Sequence, residues 1–539
     1  MKKYVNKLKK IKEMRHFILK HYLIISIPIL LFSCKDEFME LTPLGGATSG
    51  NYWQTAEDAV AYSNVLYYYM PNEEYFSRGF MWYINASDDM VTGRANANAD
   101  AAVYFTLGGN ESYYINSYEA SYRTIGKAND ILENVPGMDI DQNIKNRLLG
   151  EAYFMRAFSY FWVAHTYGDN GSNGGVPIVT VENKYDQTFT RPGSVIDNYQ
   201  MIIEDLNKAA ELLPLFTTYD ESDKGRAHKD AALAYAAKTY MYWAQYDKSK
   251  WAKVIEYCDK VTNSGSGRGL LNTGNPDEDF ANIFTESQDF GKEYIWSVIS
   301  GTQSGSKLPG IMLENKGWGD YNGWGYYQPT LELYNEFEAG DARKKATILE
   351  FGQEFQWFGK TRRYSSSNSQ TGFQFNKYMN AWGYDSPVGT TVNANGNNPS
   401  CVIDVPLLRY AEILLMKAEA KIMLGESGDS EINMVRNRAG LSGISGATMK
   451  DLKHERRVEL AGEFANRHFD LVRWGDADAV YEKPLHGRNH AEKNNPDSDY
   501  TIIEVRAPRP QFDPNIHHVW RIPNRVIDNT GIEQNKGWN

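Results

Sequence analysis

The sequence predicts a mostly α fold, in which a scaffold of paired helices carries one large loop-rich insertion. Apolar residues recur at helical spacing in several long segments, most clearly Tyr199, Ile202, Leu206, Ala209 and Leu213, and Leu407, Ala411, Leu414, Ala418 and Ile422. Over about 263–404 that spacing gives way to Gly, Asn, Ser and Trp with few helical runs. The composition, 42% hydrophobic and 23% charged over 539 residues, is that of a folded globular chain.

Residues 1–33 read as an export signal. Eight Lys and Arg precede an apolar run from Tyr22 to Phe32 that Ser26 and Pro28 interrupt. The run falls short of the ~20 apolar residues of a bilayer-spanning helix. It ends at Leu31-Phe32-Ser33-Cys34, which resembles a bacterial lipobox with Phe32 bulkier than usual, so Cys34 is the expected lipidation site and anchor in outer-membrane lipid. Lys35-Asp36-Glu37 resembles the signal that sends lipoproteins to the outer face of the outer membrane. Removing residues 1–33, with their eight basic residues and one Glu, takes the net charge from −11 to −18. Nucleic acid is therefore not an expected partner, because phosphate binding needs a basic face.

Residues 34–539 read as a single domain. Its helices are expected over about 55–70, 117–135, 144–167, 199–213, 229–247, 251–262, 407–422 and 449–475, with Pro214 closing one and Gly265 just past another. The helical scaffold thus covers about 50–262 and 405–475, the loop-rich ligand-face insertion covers about 263–404, and a C-terminal loop region follows over 476–539. Segments 231–246 and 251–262, joined by Asp247-Lys248-Ser249-Lys250, resemble a tetratricopeptide-like helical hairpin, without a strict 34-residue period. Cys258 lies in the stripe Val254, Cys258, Val261 and reads as a small buried hydrophobe, and neither it nor Cys401 sits in a CxxC.

Aromatic residues are abundant, with 36 Tyr, 23 Phe and 13 Trp. Most are expected in the core, but Trp318, Tyr321, Trp324, Tyr326, Tyr327, Trp357, Trp382 and Tyr384 stand among Gly and Asn, which offer little local apolar surface to bury them. An exposed indole face suits the axial C–H groups of a pyranose, while Asn, Asp and Arg reach its hydroxyls. Trp318 and Trp324 are the leading candidate platforms, with Tyr321, Trp82, Tyr83, Trp357 and Trp382 as further rings and Asp320, Asn322 and Arg94 as hydroxyl ligands.

No catalytic signature survives inspection. Asp88-Asp89 is read as a structural turn or hydroxyl ligand, because adjacent carboxylates rarely converge on one scissile bond. The run Gly265-Ser-Gly-Arg-Gly269 lacks the phosphate-binding Lys-Ser/Thr, His517-His518 lacks ligand spacing, and Asp497-Ser-Asp499 lacks the Gly of a calcium loop. Neither HExxH nor GxSxG occurs. The expectation is a binding protein without enzyme activity, cofactor or metal.

The segment Val405-Pro-Leu-Leu-Arg-Tyr-Ala-Glu-Ile-Leu-Leu-Met-Lys-Ala-Glu-Ala420 closely resembles the hallmark helix of the SusD/RagB family of surface nutrient-binding lipoproteins. Further blocks agree in order: Gly150-Glu-Ala-Tyr-Phe-Met-Arg-Ala157 with Gly175-Val-Pro177, Ile203-Glu-Asp-Leu206, Val435-Arg-Asn-Arg-Ala-Gly440, Glu455-Arg-Arg-Val-Glu-Leu460, Asp470-Leu-Val-Arg-Trp474, and Ile522-Pro523 with Gln534-Asn535. The resemblance implies a SusD-like fold of tetratricopeptide-like hairpins, lipid-anchored at the cell surface, that binds a glycan and delivers it to a SusC-like TonB-dependent β-barrel transporter. Arg409, Glu412, Glu419, Arg456, Glu459 and Arg473 are read as scaffold ion pairs on helices. A lid or adaptor for peptide or glycoprotein-derived cargo, and a surface glycoside hydrolase, stay open as other readings.

Overall fold

The computed structural model describes residues 52–72, 75–93, 97–171, 173–186, 188–300, 308, 312, 323–357, 360–364, 369–379, 402–464, 467–493 and 495–538. The chain divides into two compact units, residues 1–58 and 59–539. In the first, Asp58 accepts from the backbone N–H of Thr55 at 2.9 Å and returns its own N–H to the Thr55 hydroxyl, which caps a helix start. Cys34 and Cys401 lie outside the described residues, and no described helix is long and apolar enough to cross a membrane.

Among the described residues, nine helices of the second unit form the scaffold: α1 (Ser112–Asn134), α2 (Gln142–Tyr167), α3 (Val195–Leu212), α4 (Lys229–Trp243), α5 (Trp251–Thr262), α6 (Tyr410–Met423), α7 (Asp429–Arg438), α8 (Met449–Leu460) and α9 (Arg467–Trp474). From α1 to α6 each packs on the next, and α6 also packs on α7 and α8. That succession of neighbouring helices is the architecture of stacked helical hairpins. Asp141 caps α2 by accepting from Asn143 and Ile144, Ser194 caps α3, and Thr448 with Asp451 forms a capping box on α8.

Helix α2 is buried on every side over most of its length, as expected of a central helix. Gly150 permits its close approach to the segment after α3, since a Cβ there would stand 2.7 Å from Leu213 Cγ. Phe154 and Phe158 of α2 meet Trp296 at 4.7 Å and Tyr235 of α4 at 5.1 Å, both edge to face. Such pairs contribute about 0.5–1.5 kcal/mol each beyond their buried area, so much of the aromatic content is structural.

Among the described residues, ten short strands complete the frame: β1 (Met90–Thr92), β2 (Tyr294–Val298), β3 (Tyr327–Pro329), β4 (Ile348–Glu350), β5 (Glu354–Trp357), β6 (Lys360–Arg363), β7 (Phe373–Phe375), β8 (Val405–Arg409), β9 (Leu485–His490) and β10 (Tyr500–Arg506). They pair antiparallel as β1–β3, β2–β8, β4–β7, β5–β6 and β9–β10. Three differences from the sequence reading follow. Leu407 and Leu408 lie in β8 rather than in a helix, because the segment pairs with β2 and the helix starts only at Tyr410. The expected helix over 449–475 breaks at Gly462, whose φ of 74° stops α8 from continuing into α9. The C-terminal region carries the β9–β10 hairpin and the helices Ala477–Tyr481 and Asn524–Thr530, rather than loops alone.

A buried ion network ties these elements together. Glu459 of α8 accepts from Arg409 at 3.1 Å, from Arg343 at 3.1 Å and from Arg438, and none of the four side chains is exposed. Arg409, which ends β8 rather than standing on a helix, also reaches Glu293 at 2.5 Å and Glu463 at 2.6 Å. A second cluster joins Glu412 to Lys238 at 3.1 Å and to Arg456 at 2.8 Å, then Arg456 to Asp470 at 2.6 Å, and Arg473 to both Asp470 and Glu419. Burial pushes the Glu459 carboxyl up, but Arg438, Arg409 and Arg343 outweigh it and hold it well below the usual range.

At the end of β2 the balance is reversed. Asp289 Oδ1 accepts from the Asp404 N–H at 3.1 Å and Asp404 Oδ1 from the Ser300 N–H at 2.8 Å, while no Lys or Arg pairs with either acid among the described residues. Burial and, for Asp289, repulsion by Asp404 raise both carboxyls far above their ordinary range.

Glu459→Gln is expected to lower stability by about 3–5 kcal/mol, read by thermal unfolding, because it leaves guanidinium groups buried without their partner. Because the folded carboxyl titrates below its unfolded value of 4.5, its contribution is complete above that pH and is lost on acidification through the folded value. A loss under about 1 kcal/mol would contradict this role. Asp289 and Asp404 titrate higher folded than unfolded, so they weaken the fold as pH rises. Asp289→Asn, which keeps the acceptor for the Asp404 N–H, is expected to be near neutral at pH 3, below the unfolded value of 3.8, and to gain at least about 1–2 kcal/mol at pH 8. An equal effect at both pH values would contradict it.

Candidate functional site

Strands β1 and β3 form the base of the site. Met90 pairs with Pro329, Val91 with Gln328 and Thr92 with Tyr327. Two guanidinium groups fix this base from below. Arg467 donates to both oxygens of Asp88 at 2.8 and 3.0 Å, and Arg457 donates to Asp89 at 2.7 Å, while Thr330 binds the Asp88 and Asp89 carbonyls at 2.7 and 3.1 Å. Both acids are buried, and Arg457 and Arg467 overcome burial to hold Asp88 far below the usual carboxylate range. Burial, with the charge of Asp88, raises the Asp89 carboxyl, and guanidinium groups engage both acids, which fits the structural role that the sequence reading set beside hydroxyl binding.

Above this base, loops from distant parts of the chain meet. The Gly93 N–H donates to the Tyr326 carbonyl at 2.8 Å, and a Cβ on Gly93 would stand 2.1 Å from the Gly325 oxygen. Gln328 accepts from the Gln370 N–H at 2.8 Å, and the Gln370 side chain donates to the Gly93 carbonyl at 3.0 Å. Gly93, Gly325 and Gln370 therefore form one rim. Trp324 stands on it half-buried, edge to face with Tyr326 at 5.8 Å.

The rim brings together the neighbours of several predicted ligand residues: Arg94 follows Gly93 in the chain, and Asn322 lies two residues before Trp324. Arg94, Trp318, Asp320, Tyr321, Asn322 and Trp382 themselves lie outside the described residues, and Trp357 is described only as the backbone end of β5. Two candidates are corrected. Trp82 and Tyr83 are 2% and 3% exposed, so neither offers a stacking face. They belong to a helix, Arg78–Asn85, rather than to a loop, and that helix turns them into the core. Trp82 packs edge to face on Tyr113 at 4.4 Å, and the Tyr83 hydroxyl meets that of Tyr167 at 2.9 Å. Gln328 and Gln370 carry no signal in the sequence, since a three-residue strand is too short to show an alternation and a Gln in a loop carries no pattern.

The described residues offer one cluster with metal-ligand potential, Glu338, His454 and Glu455. Arg436 already donates to Glu338 at 2.5 Å and to Glu455 at 3.2 Å, and His454 bridges Glu336 and Glu338. A guanidinium thus supplies the positive charge there. Cys258 is buried, and burial pushes its thiol well above the ordinary range, which suits packing rather than chemistry.

Comparison with known proteins agrees with this architecture. A model of the SusD family matches residues 292–538, and a second model, described as starch-binding associating with outer membrane, matches residues 50–241. SusD-like protein P2 of Formosa agariphila is 25% identical over 96% of this chain and 99% of its own, and a SusD-like protein of Bacteroides ovatus is 24% identical over 86% and 83%. In fold, the chain is similar to a SusD-like protein of Bacteroides fragilis, with a TM-score of 0.75 at 24% identity over 91% of this chain and 98% of the other. It is also similar to a laminarin binding SusD-like protein, with a TM-score of 0.70 at 23% identity over 90% and 100%. The two family models together match most of the chain, the first running through much of the loop-rich region as well as the scaffold after it, and the chain belongs to the SusD/RagB family.

Proposed function

We propose that this protein is a cell-surface lipoprotein that captures a glycan without altering it and passes it to a SusC-like TonB-dependent β-barrel in the outer membrane. The observation that carries the reading is the rim itself. Trp324 stands where loops from around residues 93, 325 and 370 converge, on a base that buried ion pairs make rigid. A fixed platform limits the freedom lost when a chain of sugars binds. Membership of a family whose model is described as starch-binding, and the similarity in fold to a laminarin binding SusD-like protein, support a carbohydrate as cargo. The same description supports association with the outer membrane, for which acylated Cys34 is the proposed anchor. Asp88 and Asp89, the adjacent acids nearest the rim in sequence, are bound by Arg467 and Arg457, which supports capture without hydrolysis.

Affinity electrophoresis of residues 35–539 through gels containing laminarin, amylopectin and other plant, fungal and host polysaccharides is expected to show retardation by one polymer. Trp318→Ala with Trp324→Ala is expected to abolish it. Unchanged retardation in the double variant would overturn the site, and no retardation by any polymer would favour peptide cargo. Cys34→Ala in the full chain is expected to move the protein from the membrane fraction to the soluble fraction, and continued membrane retention would overturn the anchor.

A further inference from the structure

The hairpin of β9 and β10 carries a second aromatic site, apart from the rim. A ladder of stacked groups runs out from the core to it. Phe373, fully buried, stacks on Tyr334 with centroids 4.7 Å apart and planes at 21°. The Arg488 guanidinium lies 4.4 Å from the Tyr334 centroid and 4.8 Å from that of Tyr500. Tyr500, the outermost rung, is 48% exposed. His490, its cross-strand partner, flanks it at 5.3 Å and is itself stacked on Phe351 at 4.1 Å.

Such a ring is held rigid yet keeps open surface, which is what stacking on a sugar requires. The surrounding charge narrows the class of sugar. Glu350 accepts from the Tyr334 hydroxyl at 2.6 Å and from Arg488 at 3.2 Å. Arg488 packs its guanidinium against the Tyr334, Phe373 and Tyr500 rings while donating to Glu350, and with 18% of the side chain exposed part of the group still reaches solvent beside Tyr500. Lys344 sits 3.6 Å from the Tyr334 centroid and pairs with no carboxylate among the described residues. Two cations thus face one carboxylate in a chain whose net charge is −11. The exposed apolar side chains here are Tyr500 and Ile502, set among charged groups rather than in the broad apolar patch that protein docking uses.

We propose that Tyr500, Arg488 and Lys344 form a subsite for an acidic sugar residue, a pyranose bearing a carboxylate or a sulfate ester. The ring stacks on Tyr500, and the planar guanidinium receives the anionic oxygens, with Lys344 adding charge. The subsite is joined to the rim through backbone: the Arg488 N–H donates to the Thr371 carbonyl at 2.8 Å, and the next residue back, Gln370, holds Gly93. This inference rests on the glycan-capture reading and extends it to a charged polymer contacting two places on the chain.

The test is affinity electrophoresis of residues 35–539 with polygalacturonate, dextran sulfate, neutral dextran and laminarin, using wild type, Tyr500→Ala, Arg488→Gln and the double variant, with thermal unfolding as the control for folding. Wild type is expected to be retarded by polygalacturonate or dextran sulfate, and whichever binds identifies the carboxylate or the sulfate ester. Tyr500→Ala, at an exposed position, is expected to weaken that affinity at least tenfold without changing the unfolding midpoint, and Arg488→Gln to weaken it further than it weakens any neutral polymer. Equal affinity in the double variant, or no retardation by either anionic polymer, overturns the subsite. Retention on laminarin that depends on Trp324 would then leave the glycan-capture reading standing, whereas retention on no polymer would overturn both. Loss of a copurifying barrel on Tyr500→Ala, with polymer affinity unchanged, would reassign the hairpin to protein docking and overturn the subsite.

Discussion

Glu459 is the point through which the fold is tied. It is fully buried and receives Arg343 from the loop-rich region, Arg409 from the end of β8 and Arg438 from α7. A carboxylate in a low-dielectric interior is costly unless its charge is met, and three guanidinium groups meet it only when all three segments are in place. The cluster of Glu412, Arg456, Asp470, Arg473 and Glu419 repeats this arrangement across α6, α8 and α9. Apolar packing brings these helices together, and the charges specify which helix meets which.

The same device carries rigidity outward to the function. Arg457 of α8 and Arg467 of α9 leave the scaffold to hold Asp89 and Asp88 at the start of β1. From there β1 and β3 lead to Gly93 and Trp324 at the rim, and Gln370 links the rim to the strip that anchors the β9–β10 hairpin. Loops can therefore differ in sequence while their roots stay fixed. A preorganised surface limits the freedom lost when a ligand binds, because it does not first have to order itself.

Much of the scaffold was legible because its signals are local or repeat at 3.6 residues. The stripe from Tyr199 to Leu213 became α3, and the hallmark residues Arg409, Glu412 and Glu459 proved to be buried ion pairs. Their partners Glu293 and Arg343 were not legible, because the pairs that join Glu293 to Arg409 and Arg343 to Glu455 and Glu459 each span more than 100 residues. Three-residue strands such as β1 and β4 are too short to show an alternation. Trp82 and Tyr83 were misplaced because surrounding Asn, Ser and Asp suggested a loop where a short helix turns both rings inward. The ladder of residues 373, 334, 488 and 500 has no signature in the chain, since each rung comes from a different element.

The central claim is that the protein holds a polysaccharide and leaves it intact. The direct measurement is to incubate residues 35–539 with the polymer that retains it, separate the complex by size exclusion, and measure the chain length of the recovered polysaccharide. The account predicts coelution of protein with polymer of unchanged length. Polymer recovered shorter than it went in, or protein and polymer eluting apart, would contradict it.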